Sequence, residues 1–292
     1  MKSAAFEYVR AESVAEACDA LQREGEGARV IAGGQSLVPM MAMRLLRPAL
    51  LVDINEIAEL KRIEPQGKSV RVGACVRQAD LERDQAFAGR IPLIRQALAW
   101  VGHVQTRNRG TIGGSLAHAD PSAELPLVAR VLGATLTARS RRGARDIAAD
   151  AFFVGPMTTA IEPGECLESV RFIPWSERRT GCSFTEISNR HGDFAMVAAC
   201  AQVALDGGGR CTRAAFGLGG VAGVPLAFPQ LAERLVGTRL EEEAVKEVAQ
   251  QAARQTDPGT DLFATADYRR HLAGVLAARA IRAAHEQARS LR

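Results

Sequence analysis

Two periods of apolar positions in the first 56 residues predict a small unit of strands and helices. A short apolar stretch covers 6–9, and a helical stripe of apolar residues follows Ser13, whose spacing to Glu16 is typical of a helix N-terminus. Two further apolar stretches, 28–32 and 50–54, predict buried strands. This order of strands and helices predicts a small parallel βαβ unit.

Beyond residue 60 the pattern changes to short strands joined by glycine-containing turns. Strands are predicted at 62–63, 70–75, 134–138 and 167–173, and helices at 79–83 and 91–101. After Pro174, apolar stretches around the Gly207–Gly209 turn predict an antiparallel sheet, with strands at 184–187, 196–205 and 211–218. Helical spacing closes the chain, at 241–253 and 268–288.

These patterns predict an α+β protein of two domains. A chain of 292 residues with 47% hydrophobic residues is long enough to bury more than one core. The change of pattern near Pro174 gives an N-terminal domain over 1–175, split into 1–56 and 57–175, and a C-terminal domain over 176–292.

Charge and composition exclude two classes of function. The 37 basic and 33 acidic residues leave a net charge of +4, which is too balanced for nucleic-acid binding. The N-terminus lacks the apolar core of a signal peptide, and no run reaches the roughly 20 apolar residues of a membrane span, so we expect a soluble, cytoplasmic protein. We interpret the arginines of the last stretch as a solvated or partner-facing helix face: Arg269, Arg270, Arg279, Arg282, Arg289 and Arg292.

The six cysteines are scattered, without a C-x-x-C pair or a neighbouring histidine cluster. They are Cys18, Cys75, Cys166, Cys182, Cys200 and Cys211. This spacing predicts neither a zinc site nor an iron–sulfur cluster, and no other metal site is expected. We expect buried, reduced thiols.

Two glycine-rich segments are the strongest candidates for binding chemistry. The first glycine segment (residues 32–37, Ala-Gly-Gly-Gln-Ser-Leu) and the second glycine segment (residues 111–115, Thr-Ile-Gly-Gly-Ser) are both expected to be turns. A diphosphate needs several converging donors, and glycine lets backbone N–H groups approach it without an obstructing Cβ. Because neither segment contains lysine or arginine, peptide dipoles would hold the ligand. The pair predicts two walls of one diphosphate cradle, and hence FAD.

Each segment alone has a plainer interpretation, since Gly-Gly between a strand and a helix also permits a sharp bend. The pair favours a phosphate site. No G-x-G-x-x-G fingerprint opens a βαβ unit. The loose match at 217–222 is followed by Pro225, so we interpret it as a strand that ends in a turn.

Polar residues around the second glycine segment are further candidates. His118, Asp120 and Glu124 lack the second histidine that a metal site needs, and no Ser-His-Asp set assembles. Asp120 suits turn capping and ligand contact equally, whereas Glu124 favours ligand contact. Arg107 and Arg109 could neutralise a diphosphate, but surface charge is the favoured interpretation.

The chain resembles the FAD-binding medium subunits of molybdenum hydroxylases, a family that includes those of carbon monoxide dehydrogenase and 4-hydroxybenzoyl-CoA reductase and the flavin domain of xanthine dehydrogenase. The resemblance covers essentially the whole chain and rests on residues 32–37, 51–54 with 59–60, 107–115, 119–126 and 268–273. It implies a vanillyl-alcohol-oxidase-type FAD-binding region, with a small parallel βαβ part and a larger α+β part. A C-terminal domain with a small antiparallel sheet and helices would follow.

The resemblance also implies which residues hold the FAD. Its diphosphate would be gripped by Ala32, Gly33, Gly34, Gln35, Ser36, Leu37, Thr111, Ile112, Gly113, Gly114 and Ser115. Val101 and Gly102 would lie near the isoalloxazine, His118 and Glu124 would line the ribityl and ring region, and Leu167 would lie near the adenine or ring edge. Asp120 stays a candidate for cofactor binding from its place in the polar loop.

Two positions depart from the commonest family pattern. Gln35 stands where histidine is frequent and Ser115 where asparagine is frequent, and both replacements keep hydrogen-bonding capacity. Residues 192–195, which include Asp193, fit the family's loop near the flavin.

By the same resemblance, the chain would be one electron carrier in a multi-subunit electron-transfer chain. Substrate would be hydroxylated at a molybdenum cofactor in a large subunit, and electrons would cross two [2Fe–2S] clusters in a small subunit. The FAD of this chain would then pass them to an external acceptor, within a dimer of heterotrimers. Since the flavin carries the redox chemistry, no side chain is named as catalytic.

Two alternatives stay open. The first is a self-contained FAD-dependent oxidoreductase of the same fold that acts directly on a small substrate and needs a proton donor over the flavin. The second is a flavin-free scaffold that bridges two partners.

Overall fold

The computed structural model describes residues 2–291, which form two compact units. The first unit comprises the residues up to 84 together with 103–118 and 134–173. The second unit comprises 85–102, 119–133 and the residues from 174 onward. The chain therefore passes from one unit to the other repeatedly before residue 174.

The strands of the described residues form four sheets. In chain order they are β1 (Glu7–Arg10), β2 (Ala28–Ile31), β3 (Leu50–Asp53), β4 (Ile63–Gln66), β5 (Ser69–Gly73), β6 (Thr135–Ser140), β7 (Gly143–Ala148), β8 (Phe153–Gly155), β9 (Thr158–Thr159), β10 (Cys166–Phe172), β11 (Arg179–Ile187), β12 (Val197–Leu205), β13 (Cys211–Gly219) and β14 (Leu226–Ala227).

The helices lie between these strands, and the longest closes the chain. They are α1 (Val14–Glu24), α2 (Leu37–Ala42), α3 (Gln78–Arg83), α4 (Gln85–Arg90), α5 (Pro92–Leu98), α6 (Val104–Arg109), α7 (Ile112–His118), α8 (Glu124–Val131), α9 (Ala149–Phe152), α10 (Pro229–Glu233), α11 (Glu242–Arg254) and α12 (Ala266–Ser290). Two short 3₁₀ turns cover Gly25–Gly27 and Ala58–Lys61.

The first unit contains the predicted parallel sheet. Its strand order is β1-β3-β2, and both pairings are parallel. Helix α1 packs on β2 and β3 through a buried stripe that includes Cys18 and Leu21. Since β2 and β3 are parallel neighbours, their carboxyl ends share one edge of the sheet, where loops of this topology commonly bind ligands. The first glycine segment begins at that edge.

The start of α1 follows the sequence prediction with one shift. The Ser13 side chain accepts a hydrogen bond from the N–H of Glu16 at 3.2 Å, as expected of an N-cap. The Glu16 carboxylate accepts from the N–H of Glu12 at 2.8 Å, one residue earlier than in a capping box. Gly25, at φ +61°, ends the helix.

The first unit also contains an antiparallel sheet of order β4-β5-β10-β6-β7. A separate antiparallel pair, β8–β9, lies between β7 and β10 in the sequence. Strand β7 is absent from the sequence predictions. It is an edge strand with most residues exposed, and it therefore lacks the apolar alternation that marks a half-buried strand.

The second unit is a four-stranded antiparallel sheet, β11-β12-β13-β14, covered by helices. Strand β12 is buried along its whole length because helices cover both faces of the sheet. Val197, Ala199 and Val203 pack with α11 and α12, whereas Gly217 of β13 faces the side chain of Val131 on α8. The predicted strands and the two predicted C-terminal helices are confirmed, each with boundaries shifted by up to a few residues.

The interpretation of the C-terminal arginines as a solvated or partner-facing helix face is wrong for Arg269. Arg269 is only 7% exposed, and its guanidinium donates to the Met196 carbonyl at 2.6 Å and to the Asp261 carboxylate at 2.6 Å. The reason is helical spacing: Arg269 shares the buried face of α12 with Leu272 and Leu276. Arg279, Arg282 and Arg289 are exposed and Arg270 is half-buried; Arg292 lies outside the described residues.

The expectation for the cysteines is confirmed. All six are free and buried, and burial raises the pKa of Cys75 and of Cys182 to about 12.

Within residues 2–291 no helix is long and apolar enough to cross a membrane. Over the same range no three histidine, cysteine or carboxylate side chains gather as a metal site would require.

Candidate functional site

The first glycine segment forms a turn after β2, as predicted, and leads into the short helix α2, which the sequence did not predict. Gly34 has φ +69°, a left-handed conformation that glycine adopts without strain. The backbone N–H groups of residues 33–36 donate to no acceptor in the described part of the chain. The side chain of exposed Gln35 donates to the Gly33 carbonyl at 3.1 Å. Successive unbonded N–H groups in such a turn form an anion-binding concavity.

The second glycine segment is not the expected turn. It is the start of helix α7, which runs from Ile112 to His118. The N–H of Ile112 donates to the Val76 carbonyl at 3.1 Å, and that of Gly113 to the Ala74 carbonyl at 3.0 Å. The N–H of Gly114 donates to the Thr111 hydroxyl at 3.0 Å. The N–H of Ser115 is bonded as well, to the Thr111 carbonyl at 3.1 Å, so four of the five expected donors already have protein acceptors.

The first segment nevertheless contacts the residues directly before the second, Arg109 and Gly110. A Cβ built on Gly33 would overlap the carbonyl oxygen of Arg109 and would lie 2.9 Å from the Cα of Gly110. The backbone of the first segment thus packs directly against the residues that precede α7. Glycine is required at position 33 because any Cβ there would clash with this neighbouring backbone.

The glycines of the second segment have different roles. A Cβ on Gly113 would lie 2.6 Å from the carbonyl oxygen of Ala74, so Gly113 is needed for packing of α7 on the chain after β5. Gly114 is exposed, and a Cβ there would come close only to the Thr111 hydroxyl, at 2.9 Å. Only Gly114 leaves open space for another molecule.

Two residues that the sequence analysis did not single out connect the segments. The Asn55 side chain donates to the Ala32 carbonyl at 2.8 Å. Arg77 donates to the Asn55 side-chain oxygen at 2.7 Å and, through its other terminal nitrogen, to the Arg109 carbonyl. We call this chain of hydrogen bonds the Asn55–Arg77 clasp. Asn55 has a sequence signal, since it follows the carboxyl end of a parallel strand; Arg77 has none.

The other candidates of the first unit lie on α7 and β10. Ser115 and His118 are half-buried on α7, which packs against β10. Leu167 is a buried residue of β10, 6% exposed, next to an irregularity in the pairing of β10 with β6.

Four candidates belong to the second unit. Val101 is buried, and Gly102 follows it with φ +47°. Asp120 accepts a hydrogen bond from the N–H of Ser122 at 2.8 Å, so the turn-capping alternative is confirmed for one of its oxygens. Glu124 begins α8 and is 5% exposed.

Glu124 belongs to an unusual pair of buried carboxyl groups. Burial, with a smaller contribution from Asp120, raises the pKa of Glu124 to about 7. Burial, with a contribution from Glu124, raises the pKa of Glu186 on β11 to about 8. Both carboxyl oxygens of Glu186 are buried without a hydrogen-bond partner in the described residues. The sequence carries no signal for Glu186, because β11 reads as an ordinary strand.

Two further predictions concern Arg107 and the loose dinucleotide match at 217–222. The interpretation as exposed surface charge is wrong for Arg107, whose side chain is only 14% exposed and pairs with Glu82 at 2.9 Å. Arg109 is exposed. Strand β13 ends at Gly219 and continues into a turn whose Gly220 has φ +73°, so the loose dinucleotide match is a strand ending in a turn.

Family models match almost the whole chain. A model described as the FAD binding domain in molybdopterin dehydrogenase matches residues 4–176. A model described as the CO dehydrogenase flavoprotein C-terminal domain matches residues 182–284.

Individual relatives match over their full length. The 6-hydroxypseudooxynicotine dehydrogenase complex subunit alpha of Paenarthrobacter nicotinovorans is 37% identical, over 99% of this chain and 97% of the relative. The carbon monoxide dehydrogenase medium chain of Afipia carboxidovorans is 37% identical, over 98% of each. A chain in the structure of reconstituted CO dehydrogenase from Oligotropha carboxidovorans superposes with a TM-score of 0.95 at 36% identity, covering 98% of this chain and 100% of that one.

Proposed function

The chain belongs to the family of FAD-binding medium subunits of molybdenum hydroxylases, and on that premise we propose that it passes electrons from [2Fe–2S] clusters of a partner subunit to an external acceptor. Its activity is that of an oxidoreductase subunit, and its cofactor is FAD. Molybdenum and iron–sulfur centres belong to other subunits of the homologous complexes.

The main support for the proposal is that the first unit offers unbonded N–H groups that suit a diphosphate. The N–H groups of residues 33–36 have no acceptor in the described chain, and an N–H left without a partner costs free energy when it is screened from water. A diphosphate supplies several anionic oxygens, which such groups bind well. Gly33 packs on Gly110, which lies two residues before the start of α7. The exposed Gly114 of α7 leaves room for the ligand.

We assign the proposed contacts unit by unit. In the first unit the diphosphate contacts come from the two glycine segments, and the further contacts come from His118 and Leu167. The first segment supplies donors, whereas the second supplies an open helix face with the Ser115 hydroxyl. In the second unit the contacts are Val101, Gly102, Asp120 and Glu124. Glu124 suits ribityl hydroxyls because a buried carboxyl gains from donors that a ligand brings.

The division of labour between chain and cofactor follows. When bound, FAD supplies a redox centre that accepts and releases electrons. The chain's own residues bind it, orient it and set its electrostatic surroundings, and none acts as a catalytic acid or base. The scattered, buried cysteines support placement of the clusters on a partner.

The proposed complex contains a large molybdopterin subunit and a small [2Fe–2S] subunit, assembled as a dimer of heterotrimers in the cytoplasm. Relatives named as complex subunits and medium chains support a heteromer. We retain the domain division 1–175 and 176–292, which the two family models support through their ranges.

The test uses the complex purified from its host, with subunits identified by mass spectrometry. The clusters are reduced, and their reoxidation by oxygen, a nicotinamide, a quinone and a cytochrome is followed with FAD present and after FAD depletion. We expect fast reoxidation by at least one acceptor only when FAD is present. Equal rates without FAD, or turnover of a small substrate by the isolated chain, would contradict the proposal.

A further inference from the structure

The second unit contains a basic cleft of about 390 Å³ that the proposed function does not use. Its lining comes from four separate parts of the unit. Arg179 begins β11, Gly207–Gly209 form the β12–β13 turn, and Arg239 lies in the loop before α11. His285 and Arg289 lie one turn apart on α12.

The three arginines of the basic cleft have no carboxylate partner within 4.0 Å in the described chain. Arg179 donates from one terminal nitrogen to the Asp206 carbonyl at 2.9 Å, while its Nε is buried without any partner. The guanidinium of Arg239 lies over the glycine turn, 3.9 Å from where a Cβ of Gly209 would be. Three like charges at one cleft repel each other unless an anion joins them.

Acidic groups near the basic cleft accept hydrogen bonds from backbone N–H groups and not from the cleft guanidiniums. The Asp206 carboxylate is engaged by the N–H groups of Gly208 and Arg210, both at 2.8 Å. Glu241 accepts from the backbone N–H of Arg239 at 3.1 Å, not from its guanidinium. Burial and the charge of Arg289 lower the pKa of His285, although Glu241 and Glu286 act in the opposite direction. The lining of the cleft itself therefore holds three guanidinium groups and one imidazole and no carboxylate.

We infer that the basic cleft binds the phosphate or diphosphate group of a small molecule. Guanidinium groups match phosphate oxygens in charge and in planar two-donor geometry, and a buried Nε without an acceptor gains most from such a ligand. The cleft volume lies in the range of small-molecule sites. An acidic peptide is less suited, since the three arginines converge on one compact cleft and do not form an extended track.

The test is calorimetric titration of the full-length, FAD-loaded chain with inorganic pyrophosphate, inorganic phosphate and hexaglutamate in chloride buffer. Two variants remove charge from the cleft: Arg239→Gln with Arg289→Gln, and the same pair with Arg179→Gln. The double variant keeps the Arg179–Asp206 hydrogen bond if the triple variant folds poorly. The matched control removes three exposed arginines of the same unit, Arg95→Gln, Arg254→Gln and Arg279→Gln.

We expect saturable pyrophosphate binding that the double variant weakens by at least about tenfold and the control variant leaves nearly unchanged. Flavin content should stay constant throughout the titration. Equal weakening in the control, release of FAD by pyrophosphate, or tighter binding of hexaglutamate than of pyrophosphate would each overturn the inference. Failure of the FAD proposal would appear separately, as a chain that never carries flavin.

Discussion

The two glycine segments of the first unit contain the same Gly-Gly pair and use it for opposite purposes. In the first, the N–H groups of residues 33–36 stay unbonded in the described chain. In the second, the N–H groups of Ile112, Gly113 and Gly114 are all bonded to protein acceptors. One segment offers donors, whereas the other is packed into the fold and positions a helix.

The difference shows that a glycine pair does not by itself define a phosphate wall. Gly113 is small because α7 packs closely on Ala74, and Gly33 is small because the first segment packs on Arg109 and Gly110, directly before the second. The ligand-facing property belongs to the unbonded peptide groups between Gly33 and Ser36. The Asn55–Arg77 clasp then holds the two backbones together through the carbonyls of Ala32 and Arg109.

The largest effect is expected from Gly33→Ala. Its Cβ would overlap the Arg109 carbonyl, so the first segment must move away from the second, and the donors lose their arrangement. We expect loss of at least about 90% of the bound FAD and destabilisation of roughly 1–3 kcal/mol. Flavin content and thermal unfolding measure the two effects. Gly259→Ala is the matched control, because a Cβ there meets nothing within 4 Å; full flavin content in Gly33→Ala would contradict the account.

Gly113→Ala should separate stability from binding. Its Cβ would press on Ala74, so the unfolding free energy should fall by roughly 1–3 kcal/mol. The FAD dissociation constant of the folded protein should change by less than about tenfold, since the donors lie in the other segment. Chemical unfolding and flavin titration give both quantities. A variant with normal stability and lost FAD would reverse the assignment of the two segments.

pH should affect the second unit and spare the glycine segments, neither of which contains an ionisable side chain. Burial raises the pKa of Glu124 to about 7 and that of Glu186 to about 8, above the 4.5 of an ordinary glutamate. Between pH 4.5 and about 8, these two carboxyl groups hold more protons in the folded chain than in the unfolded chain. The free energy of unfolding therefore falls as pH rises through this range. We expect a loss on the order of a few kcal/mol between pH 6.5 and 8.5.

Chemical unfolding of the apo-chain across this interval tests the pH prediction. The interval begins at the ordinary pKa of histidine, about 6.5, so the variant described next serves to separate the glutamate contribution. The variant Glu124→Gln with Glu186→Gln should remove most of the slope. The first unit offers a natural contrast in Glu168, a buried carboxylate paired with Arg71 at 3.0 Å and Arg139 at 2.8 Å. Stability that stays level or rises in wild type would contradict the account.

The smallest effect is expected from Arg77→Gln. This change removes the guanidinium that joins Asn55 to the Arg109 carbonyl and leaves the donors of residues 33–36 in place. FAD affinity should fall by about tenfold, as expected for loss of hydrogen bonds from a charged group. Arg83→Gln is the control, since within residues 2–291 Arg83 bonds only the Asn108 side chain, at 3.3 Å. Equal effects in the two variants would show that the clasp does not position the segments.

Local pattern was sufficient to predict most of the fold. The parallel unit and the antiparallel strands β11 to β13 follow from apolar periodicity, and Ser13 from helix capping. Residues 112–118 were missed as a helix because two glycines have low helix propensity, which packing on Ala74 overrides.

The site was predictable only in part, and for a physical reason. The meeting of the two glycine segments follows from ligand chemistry, since one diphosphate needs converging donors. The bonding state of each N–H depends on residues such as Val76 and Ala74 that lie far away in sequence. Arg77 and Glu186 act through partners, or through the lack of them, that no local pattern encodes.

Nuclear magnetic resonance of the chain labelled with ¹⁵N-glycine tests the central claim most directly, because it reports on individual glycine peptide groups. Titration of the apo-chain with FAD should move the amide signals of Gly33 and Gly34 strongly, as their N–H groups gain phosphate acceptors. The signal of Gly113, already bonded to the Ala74 carbonyl, should move little. A large change at Gly113 with unchanged Gly33 and Gly34 would contradict the account.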